Sequence, residues 1–498
     1  MERKTLRNLL IIIITAIVST SVYLICSNFY YQIGYPLDDA WIYQTYARNL
    51  SQLGEWSFTP GLESGGSTGP LWVLFITVGY ILQLDHHFWT YFLGTTILLG
   101  VGIIGVYGFE LLQPEHKKWA IFGGLVLVLE WHLIWASVSG METLLFAFLI
   151  LLILIWLLKP QIAVKEWFFI GILIGVSVWI RPDGITLLGP AVLVIIASSK
   201  TPRKNIFKHS AILASGFLLP FGLYLIFNLI TSGTIWPNTF YAKQAEYAEL
   251  RDIPFILRFG QQFIAPMPGV GIILLPGFII TFFQSLREKR WSVLAGIIWF
   301  IGYLGIYAIR LPITYQHGRY IIPAMSIFFL LGIVGAISWI DEHFQDPRMI
   351  FRVISKVWLI SGISILGLFW ILGAKAFVED TAIIESEMVA TAHWVQENTS
   401  PDALIAAHDI GALGYFSQRD IVDLAGLISP EVIPFIRDEE RLGKYLDSQE
   451  VEYLMTFPEW YPILTSHSTL IFQTQNPYSP KLGGENMAVY QWFSVSSK

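Results

Sequence analysis

The stretch IIIITAIVSTSVYLICSNFYYQIGYPLDD, residues 11–39, joins a long apolar run directly to two adjacent carboxylates. Residues 8–28 supply the roughly twenty apolar residues that a helix needs to cross a bilayer. Because this run is long and lacks the small-residue cleavage site of a signal peptide, we expect it to remain as a membrane anchor. Asp38 and Asp39 follow ten residues later, so both acids are expected at the membrane surface.

The composition of the whole chain also indicates a membrane protein. Hydrophobic residues make up 54% of the 498 residues and charged residues only 14%, whereas about a quarter of a soluble domain is charged. The single Cys26 excludes an intramolecular disulfide. A net charge of −6 without a long basic block gives no reason to expect nucleic-acid binding. The sequence therefore predicts a polytopic α-helical membrane protein.

Eleven apolar runs are long enough, or nearly long enough, to cross the membrane. They are residues 8–28, 89–112, 119–137, 141–158, 167–181, 184–199, 209–231, 268–286, 291–309, 319–340 and 357–377. A further run, 70–84, is short. Lys and Arg collect on the cytoplasmic side of membrane proteins, which predicts the cytoplasmic connectors. These are residues 1–7, 116–118, 159–165, 200–208, 287–290 and 347–356.

Two arrangements of the spans are compatible with this pattern. If 70–84 enters and returns, or lies along the interface, about eleven crossings place the amino terminus inside and the carboxyl terminus outside. If 70–84 spans instead, residues 116–118 move outside and every later connector is inverted. We favour the first arrangement, because it keeps all the basic connectors on the cytoplasmic side.

The favoured arrangement divides the chain into two parts. Residues 1–377 form the predicted membrane domain, and its first outer loop covers 29–69. Residues 378–498 mix helical pattern, short apolar strands and Gly-containing turns, which predicts a small extracytoplasmic α/β domain. Its predicted helix is 385–398, and its predicted strands are ALIAAHD (403–409), DIVDLAG (420–426) and VEYLMTF (451–457).

The residues after the acid pair predict an amphipathic helix in the membrane interface, with Gln44, Arg48 and Asn49 toward water. One aspartate can be the N-cap of this helix, and Asp39 fits that position better. The remaining carboxylate, Asp38, is then a candidate general base at a cleft on the membrane face. Two alternatives stay open: a solvated neighbour of the cap, and a divalent cation that bridges both carboxylates.

Other polar residues are predicted on the same outer face. The hydroxyl-rich loop 58–72 offers hydrogen bonds to a polyhydroxyl ligand, and a surface loop without a ligand is an equally good interpretation. Lys and Arg side chains usually collect on the cytoplasmic side of a membrane, so those predicted at its outer boundary need a reason. Binding of a phosphate would explain them. For Arg181 and Asp183, mutual salt bridging at a helix end is the alternative to ligand contact. The candidate ligand-binding residues are Glu63, Ser67, Thr68, Glu142, Arg181, Asp183, Asn238, Tyr241, Lys243, His317 and Arg319.

Six motifs occur in an order that resembles a known family. They are DDAWIYQTYARNL (38–50), GLESGGSTGPLW (61–72), SGMET (139–143), RPDG (181–184), PNTFYAK (237–243) and HGRYIIP (317–323). In this order they resemble bacterial integral-membrane glycosyltransferases of the GT-C superfamily, closest to the branch that includes mycobacterial terminal arabinofuranosyltransferases. The segment HDIGALGYFSQRDIVDLAGLISPEV (408–432) is similar to the outer domain of such proteins, and the similarity covers most of the chain.

The resemblance implies transfer of a sugar from a polyprenyl-phosphate donor to a hydroxyl of a glycan, glycolipid or protein acceptor outside the membrane. It implies a catalytic acid in the first outer loop, at Asp38 or Asp39, and in some branches a divalent metal there. SGGST at 64–68 departs from the EGYTN-type segment of many relatives. The expected activity is therefore hexosyl or pentosyl transfer, without a specific commitment to arabinose.

Two other functional classes are compatible with many membrane spans. A transporter or flippase of lipid-linked sugars would place its site near the bilayer midplane, often between broken helices of repeated halves. The sequence has no matching halves, and its acids and cations are predicted at one face. A sensor or assembly factor would use the outer domain for binding and would not need an acid pair and cations on the membrane side.

Overall fold

The computed structural model describes residues 3–197 and 203–493, and most of the chain is helical. The helices are α1 (Arg3–Tyr30), α2 (Asp39–Leu53), α3 (Pro70–Ile81), α4 (His86–Leu112), α5 (Ile121–Leu129), α6 (Trp131–Ser137), α7 (Thr143–Trp156), α8 (Val164–Val178), α9 (Leu188–Ala197), α10 (Arg203–Ser232), α11 (Asn238–Glu246), α12 (Phe255–Ile264), α13 (Val270–Arg287), α14 (Trp291–Arg310), α15 (Tyr315–Gly318), α16 (Ile322–His343), α17 (Met349–Ile384), α18 (Ala390–Asn398), α19 (Glu439–Ser448), α20 (Pro462–Ser466) and α21 (Tyr478–Lys481). Single 3₁₀ or π turns connect several of them.

Within the described residues, seven helices are long and apolar enough to cross a membrane, which makes the chain a multi-pass membrane protein. They are α1, α4, α10, α13, α14, α16 and the long helix that begins with α17. Each overlaps one of the eleven predicted runs. The other four runs form helices of 7 to 15 residues, α5 to α9.

The predicted run 119–137 is not one helix, and the reason is a buried acid. Glu130 is fully buried, and its carboxylate accepts the backbone N–H groups of His132 and Leu133, which caps α6 and ends α5. An acid that satisfies the first N–H groups of a helix starts a new helix at that point. The predicted run 184–199 and the connector 200–208 both extend into residues 198–202, which lie outside the described residues.

The short run 70–84 contains α3, which is not among the helices long enough to cross a membrane. Helix α3 has 12 residues, about 18 Å of helix, which is well below the thickness of the hydrocarbon core. In the first half of α3, Trp72 donates to the carbonyl of Gly140, and the carbonyl of Phe75 accepts from Trp89 at the start of α4. The arrangement with eleven crossings stays a prediction.

Two of the predicted cytoplasmic connectors lie at the ends of α4 and α16. His116 and Lys118 both pair with Asp341 near the end of α16, at 2.8 and 3.0 Å. Arg290 donates to the carbonyl of Leu112 at the end of α4, at 2.8 Å. The basic residues of 116–118 and 287–290 therefore share one face of the helical bundle, away from α3.

The carboxyl-terminal region contains a five-stranded sheet of strand order β4-β3-β5-β7-β6. β1 and β2 form a separate hairpin in the first outer loop. β3 is parallel to β4 and β5, whereas β7 is antiparallel to β5 and β6. The three predicted strands match β3, β4 and β5; β6 and β7 were not predicted. The strands are β1 (Ser57–Thr59), β2 (Leu62–Glu63), β3 (Leu404–Ala407), β4 (Asp420–Asp423), β5 (Tyr453–Thr456), β6 (Ser468–Gln473) and β7 (Ala488–Trp492).

Helix α2 is covered by other parts of the protein, and the prediction that its polar side faces water is wrong. Gln44 is fully buried and donates to Tyr35 and Thr90, while Asn49 donates to backbone carbonyls of β1. Arg48 donates to the carbonyl of Tyr415 in the carboxyl-terminal region. The sheet region and the first outer loop therefore enclose α2 and fix the position of the acids at its start.

Candidate functional site

Asp38 lies at the N-cap position of α2, but its side chain does not cap the helix. Its two carboxylate oxygens accept the backbone N–H groups of Gly411 and Ala412, at 2.6 and 2.8 Å. The assignment of the cap to Asp39 is therefore wrong, because Asp39 already belongs to the first turn. Burial, followed by the nearby Asp409, raises the pKa of Asp38 to about 8, against the effect of the two N–H donors.

Asp39 forms an ion pair with Arg319, at 2.7 Å between Oδ2 and Nη1. Its side chain is 29% exposed, whereas the Arg319 side chain is 7% exposed. Burial opposes ionisation of Asp39, but Arg319 and Lys243 hold the pKa of its carboxyl below the usual value. Asp39 is therefore an ionised carboxylate that is accessible from a cavity.

Two cavities meet at Asp39, Lys243 and Arg319, which line both of them. The first, of about 120 Å³, lies among the ends of helices at the membrane face, and we call it the small cavity. Its other charged residues are Glu142, Arg181, Asp183 and Arg310. Gly66, Ser67 and Thr68 of the first outer loop also line it, together with apolar side chains such as Ile42 and Leu311.

Most charges of the small cavity are paired within it. Arg181 donates to Glu142 at 3.2 Å and to Tyr307 at 2.9 Å, and its Nε lies 3.4 Å from Asp183. Tyr307 also donates to Asp183. Arg310 differs, because it packs over the ring of Phe240 at 4.3 Å and forms no ion pair within the described part of the chain.

The second cavity, of about 730 Å³, lies between the membrane domain and the sheet region, and we call it the large cavity. Its carboxylates outnumber its Lys and Arg side chains two to one. The carboxylates are Asp38, Asp39, Glu246, Asp380, Asp409 and Glu439; the cations are Lys243, Arg319 and Arg437. His408 also lines it and lies 3.3 Å from Glu246. Burial lowers the pKa of His408, but the hydrogen bond to Glu246 raises it overall.

The predicted ligand-binding residues separate into two groups. Ser67, Thr68, Glu142, Arg181, Asp183, Lys243 and Arg319 line the small cavity. Glu63 is exposed in the β1–β2 hairpin, and Asn238 donates to the carbonyl of Leu427. His317 pairs with Asp380 at 2.7 Å. Tyr241 packs against Phe240. None of these four residues lines either cavity.

Several residues of the cavities were not predicted from the sequence. Glu246, His408 and Asp409 line the large cavity, and Tyr307 and Arg310 line the small one. The segment 408–411 was noted only as part of a motif in the tail. A consecutive His and Asp directly after an apolar strand was the available signal, because polar residues at strand ends often line clefts.

The acid pair does not provide a metal site. The Asp38 oxygens already accept two backbone N–H groups, and Asp39 is paired with a guanidinium. Among residues 3–197 and 203–493, no group of three or more His, Cys, Asp or Glu side chains is arranged to hold a metal ion. Hard cations require several free carboxylate or carbonyl oxygens. The predicted bridging cation at Asp38 and Asp39 therefore does not fit this arrangement.

The chain shares its fold with solved structures of GT-C glycosyltransferases, the class that the motif order predicted. The chain superimposes on ArnT from Cupriavidus metallidurans bound to undecaprenyl phosphate with a TM-score of 0.56 and 13% identity, over 97% of this chain and 98% of that one. It superimposes on the archaeal oligosaccharyltransferase AglB from Archaeoglobus fulgidus, in complex with an inhibitory peptide and a dolichol-phosphate, with a TM-score of 0.62 and 13% identity. That match covers 92% of this chain and 70% of AglB.

A third solved structure is the arabinofuranosyltransferase AftD from mycobacteria, with a TM-score of 0.51 and 13% identity. The match covers 96% of this chain but only 41% of AftD, so the chain spans less than half of that protein. Residues 381–490 match a family described as a domain of unknown function (DUF8728). A sequence search of curated proteins finds no match to the chain.

Proposed function

We propose that the protein is an inverting glycosyltransferase that moves a sugar from a polyprenyl-phosphate donor to an acceptor hydroxyl at the outer face of the membrane. The observation that carries this proposal is the junction of two cavities at one ionised carboxylate, Asp39. The fold supports it, because ArnT and AglB, which share the fold, are described with undecaprenyl phosphate and dolichol-phosphate.

The donor phosphate is assigned to the small cavity. Arg310 has no carboxylate partner among the described residues, and the Nε of the buried Arg319 has no hydrogen-bond acceptor there. Guanidinium groups recognise phosphate oxygens through charge-assisted hydrogen bonds. The apolar walls of the same cavity suit the first part of a prenyl chain. A buried donor without an acceptor is costly, and a phosphate oxygen would supply the acceptor.

Asp39 is assigned the role of general base. Its carboxylate removes the proton from the acceptor hydroxyl while that oxygen forms a bond to the anomeric carbon. The bond between the anomeric carbon and the phosphate oxygen breaks on the opposite side, and its electron pair leaves with the lipid phosphate. Arg319 and Arg310 stabilise the negative charge that develops on the leaving phosphate. No protonation of the leaving group is needed, because a phosphate is a good leaving group.

Asp39 is favoured over Asp38 because a general base must be ionised and accessible. The pKa of Asp39 is lowered, whereas that of Asp38 is raised to about 8 and both of its oxygens accept backbone N–H groups. Asp38 is instead proposed to position α2 against the sheet region. We also propose that residues 378–498 form an extracytoplasmic domain and that the amino terminus is cytoplasmic.

The test is incubation of the purified protein with a panel of radiolabelled polyprenyl-phosphate sugars and acceptor extracts, with release of lipid phosphate as the readout. We expect release that depends on acceptor and disappears in Asp39→Asn. Movement of intact donor across liposomes without any transfer would instead indicate a flippase. Loss of transfer in Asp38→Asn with normal transfer in Asp39→Asn would overturn the assignment of the base.

A further inference from the structure

Asp409 is the acid of the large cavity that the mechanism does not use. Its carboxylate lines the cavity and forms no hydrogen bond and no ion pair within the described part of the chain. The other carboxylates differ. Asp39 pairs with Arg319, Glu246 with Lys243, and Asp380 with His317.

The last two carboxylates of the large cavity are satisfied by backbone groups. Asp38 accepts from Gly411 and Ala412, and Glu439 accepts the N–H groups at the start of α20. Burial raises the pKa of Asp409 overall, although the nearby His408 and Lys243 act in the opposite direction without forming an ion pair with it. An enclosed carboxylate of this kind is stabilised by a cation that enters the cavity with a ligand.

Aromatic side chains line the same cavity as this acid. Tyr247, Tyr315, Trp460 and Tyr461 all line the large cavity, and the Trp460 ring is 49% exposed. His408, next to Asp409, contacts the edge of Trp460 with ring centroids 5.2 Å apart. Exposed aromatic faces attract ammonium groups, and their flat surfaces accept the apolar face of a sugar ring.

We propose that the large cavity binds the acceptor as a sugar that carries an ammonium group, with Asp409 as the partner of the ammonium and Trp460 beside the sugar ring. This inference rests on the proposed transfer reaction, because it assigns the acceptor of that reaction. The ammonium pairs with the one carboxylate of the cavity that has no hydrogen bond or ion pair among the described residues. An acceptor with a carboxylate or phosphate at the same position would be repelled by the carboxylates of the cavity and is therefore excluded.

The experiment measures binding to the full-length protein in detergent without any donor. The ligands are methyl glucoside, its 6-amino-6-deoxy derivative and methyl glucuronide, which differ only in the group at one carbon, and ethanolamine, which has the ammonium without the ring. Dissociation constants come from saturation-transfer NMR at pH 7. The variants are Asp409→Asn, Asp409→Glu and Trp460→Ala. Asp402→Asn is the matched control, because Asp402 is exposed and outside both cavities.

We expect the amino sugar to bind roughly tenfold or more tightly than methyl glucoside, which corresponds to a hydrogen bond to a charged group. The preference for the amino sugar should disappear in Asp409→Asn and persist in Asp409→Glu and in Asp402→Asn. In Trp460→Ala, binding of all three sugars should weaken. Equal binding of the amino and neutral sugars, stronger binding of the glucuronide, or ethanolamine binding as strong as that of the amino sugar would overturn the inference. Unchanged selectivity in Asp409→Asn would do the same.

The outcome is separable from the proposed function. Selective binding of the amino sugar by a protein that transfers no sugar would reject the transfer reaction and keep the ligand assignment. Transfer to neutral acceptors by a protein without amine selectivity would keep the reaction and reject the ligand assignment.

Discussion

The small cavity and the large cavity share Asp39, Lys243 and Arg319, but the charged residues of their remaining walls balance in the small cavity and are mostly acidic in the large one. In the small cavity, Arg181 is balanced by Glu142 and Asp183, and Arg310 is left over as a free cation among the described residues. In the large cavity, carboxylates outnumber Lys and Arg side chains. A phosphate and an ammonium would therefore be directed to different sides of one carboxylate, which orders donor and acceptor before any chemistry occurs.

The largest expected effect is at the residue that joins the two cavities. Asp39→Asn should lower the transfer rate by roughly 10²- to 10⁴-fold, because that is the usual contribution of a general base. Asparagine keeps the size of the side chain but leaves the buried Arg319 without its ion pair, so the melting temperature should fall and turnover is compared per folded protein. The measurement is turnover of the radiolabelled donor under saturating acceptor. Full activity in this variant would remove Asp39 from the mechanism.

A matched pair of arginine variants tests whether the two cavities bind different substrates. Arg310→Gln in the small cavity should raise the KM for the lipid donor roughly 10- to 100-fold, because it removes a charge-assisted contact to phosphate. Arg437→Gln in the large cavity should leave the donor KM unchanged. The control is the acceptor KM, which Arg310→Gln should not alter. An acceptor KM that rises in Arg310→Gln would contradict the division of substrates between the cavities.

Asp38→Asn tests the structural role of the other aspartate through the pH dependence of stability. Because the pKa of Asp38 rises from 3.8 to about 8 on folding, the folded state retains a proton that the unfolded state releases. The stability from this group is complete below pH 3.8 and is lost as the pH rises toward 8. Between pH 5 and pH 8, the melting temperature of the variant should therefore fall less than that of the wild type, and the two falls should differ by at least about 2 °C. Thermal unfolding in detergent measures this, and an unchanged pH slope would show that Asp38 does not titrate in that range.

Much of the membrane domain could be predicted because hydrophobic length is a local property of the sequence. The seven long apolar helices were predicted in this way. The break at Glu130 could not be read from hydropathy, because it depends on one carboxylate that caps a helix inside an apolar run. β6 and β7 were missed because their residues, including Thr469, Gln473 and Gln491, do not form a strong apolar pattern.

The candidate site was only partly predictable, because its decisive contacts join distant parts of the chain. The adjacency of Asp38 and Asp39 indicated that one acid was spare, but which one depends on N–H groups 373 and 374 residues away. The water-facing side of α2 was predicted from its own periodicity, and the sheet region covers it. Local pattern identifies residues that can do chemistry, whereas tertiary packing decides which of them face a cavity.

The smallest expected effect separates two glutamates that the sequence treated alike. Glu63→Gln should leave transfer activity within about twofold of wild type, because Glu63 is exposed in a hairpin and lines neither cavity. Glu142→Gln is the comparison, because Glu142 is 2% exposed and pairs with Arg181, so its neutralisation leaves a buried guanidinium short of negative charge. Donor turnover of the two variants should differ by roughly tenfold or more. A large loss in Glu63→Gln would mean that the hairpin closes over the substrates and that the site extends beyond the two cavities.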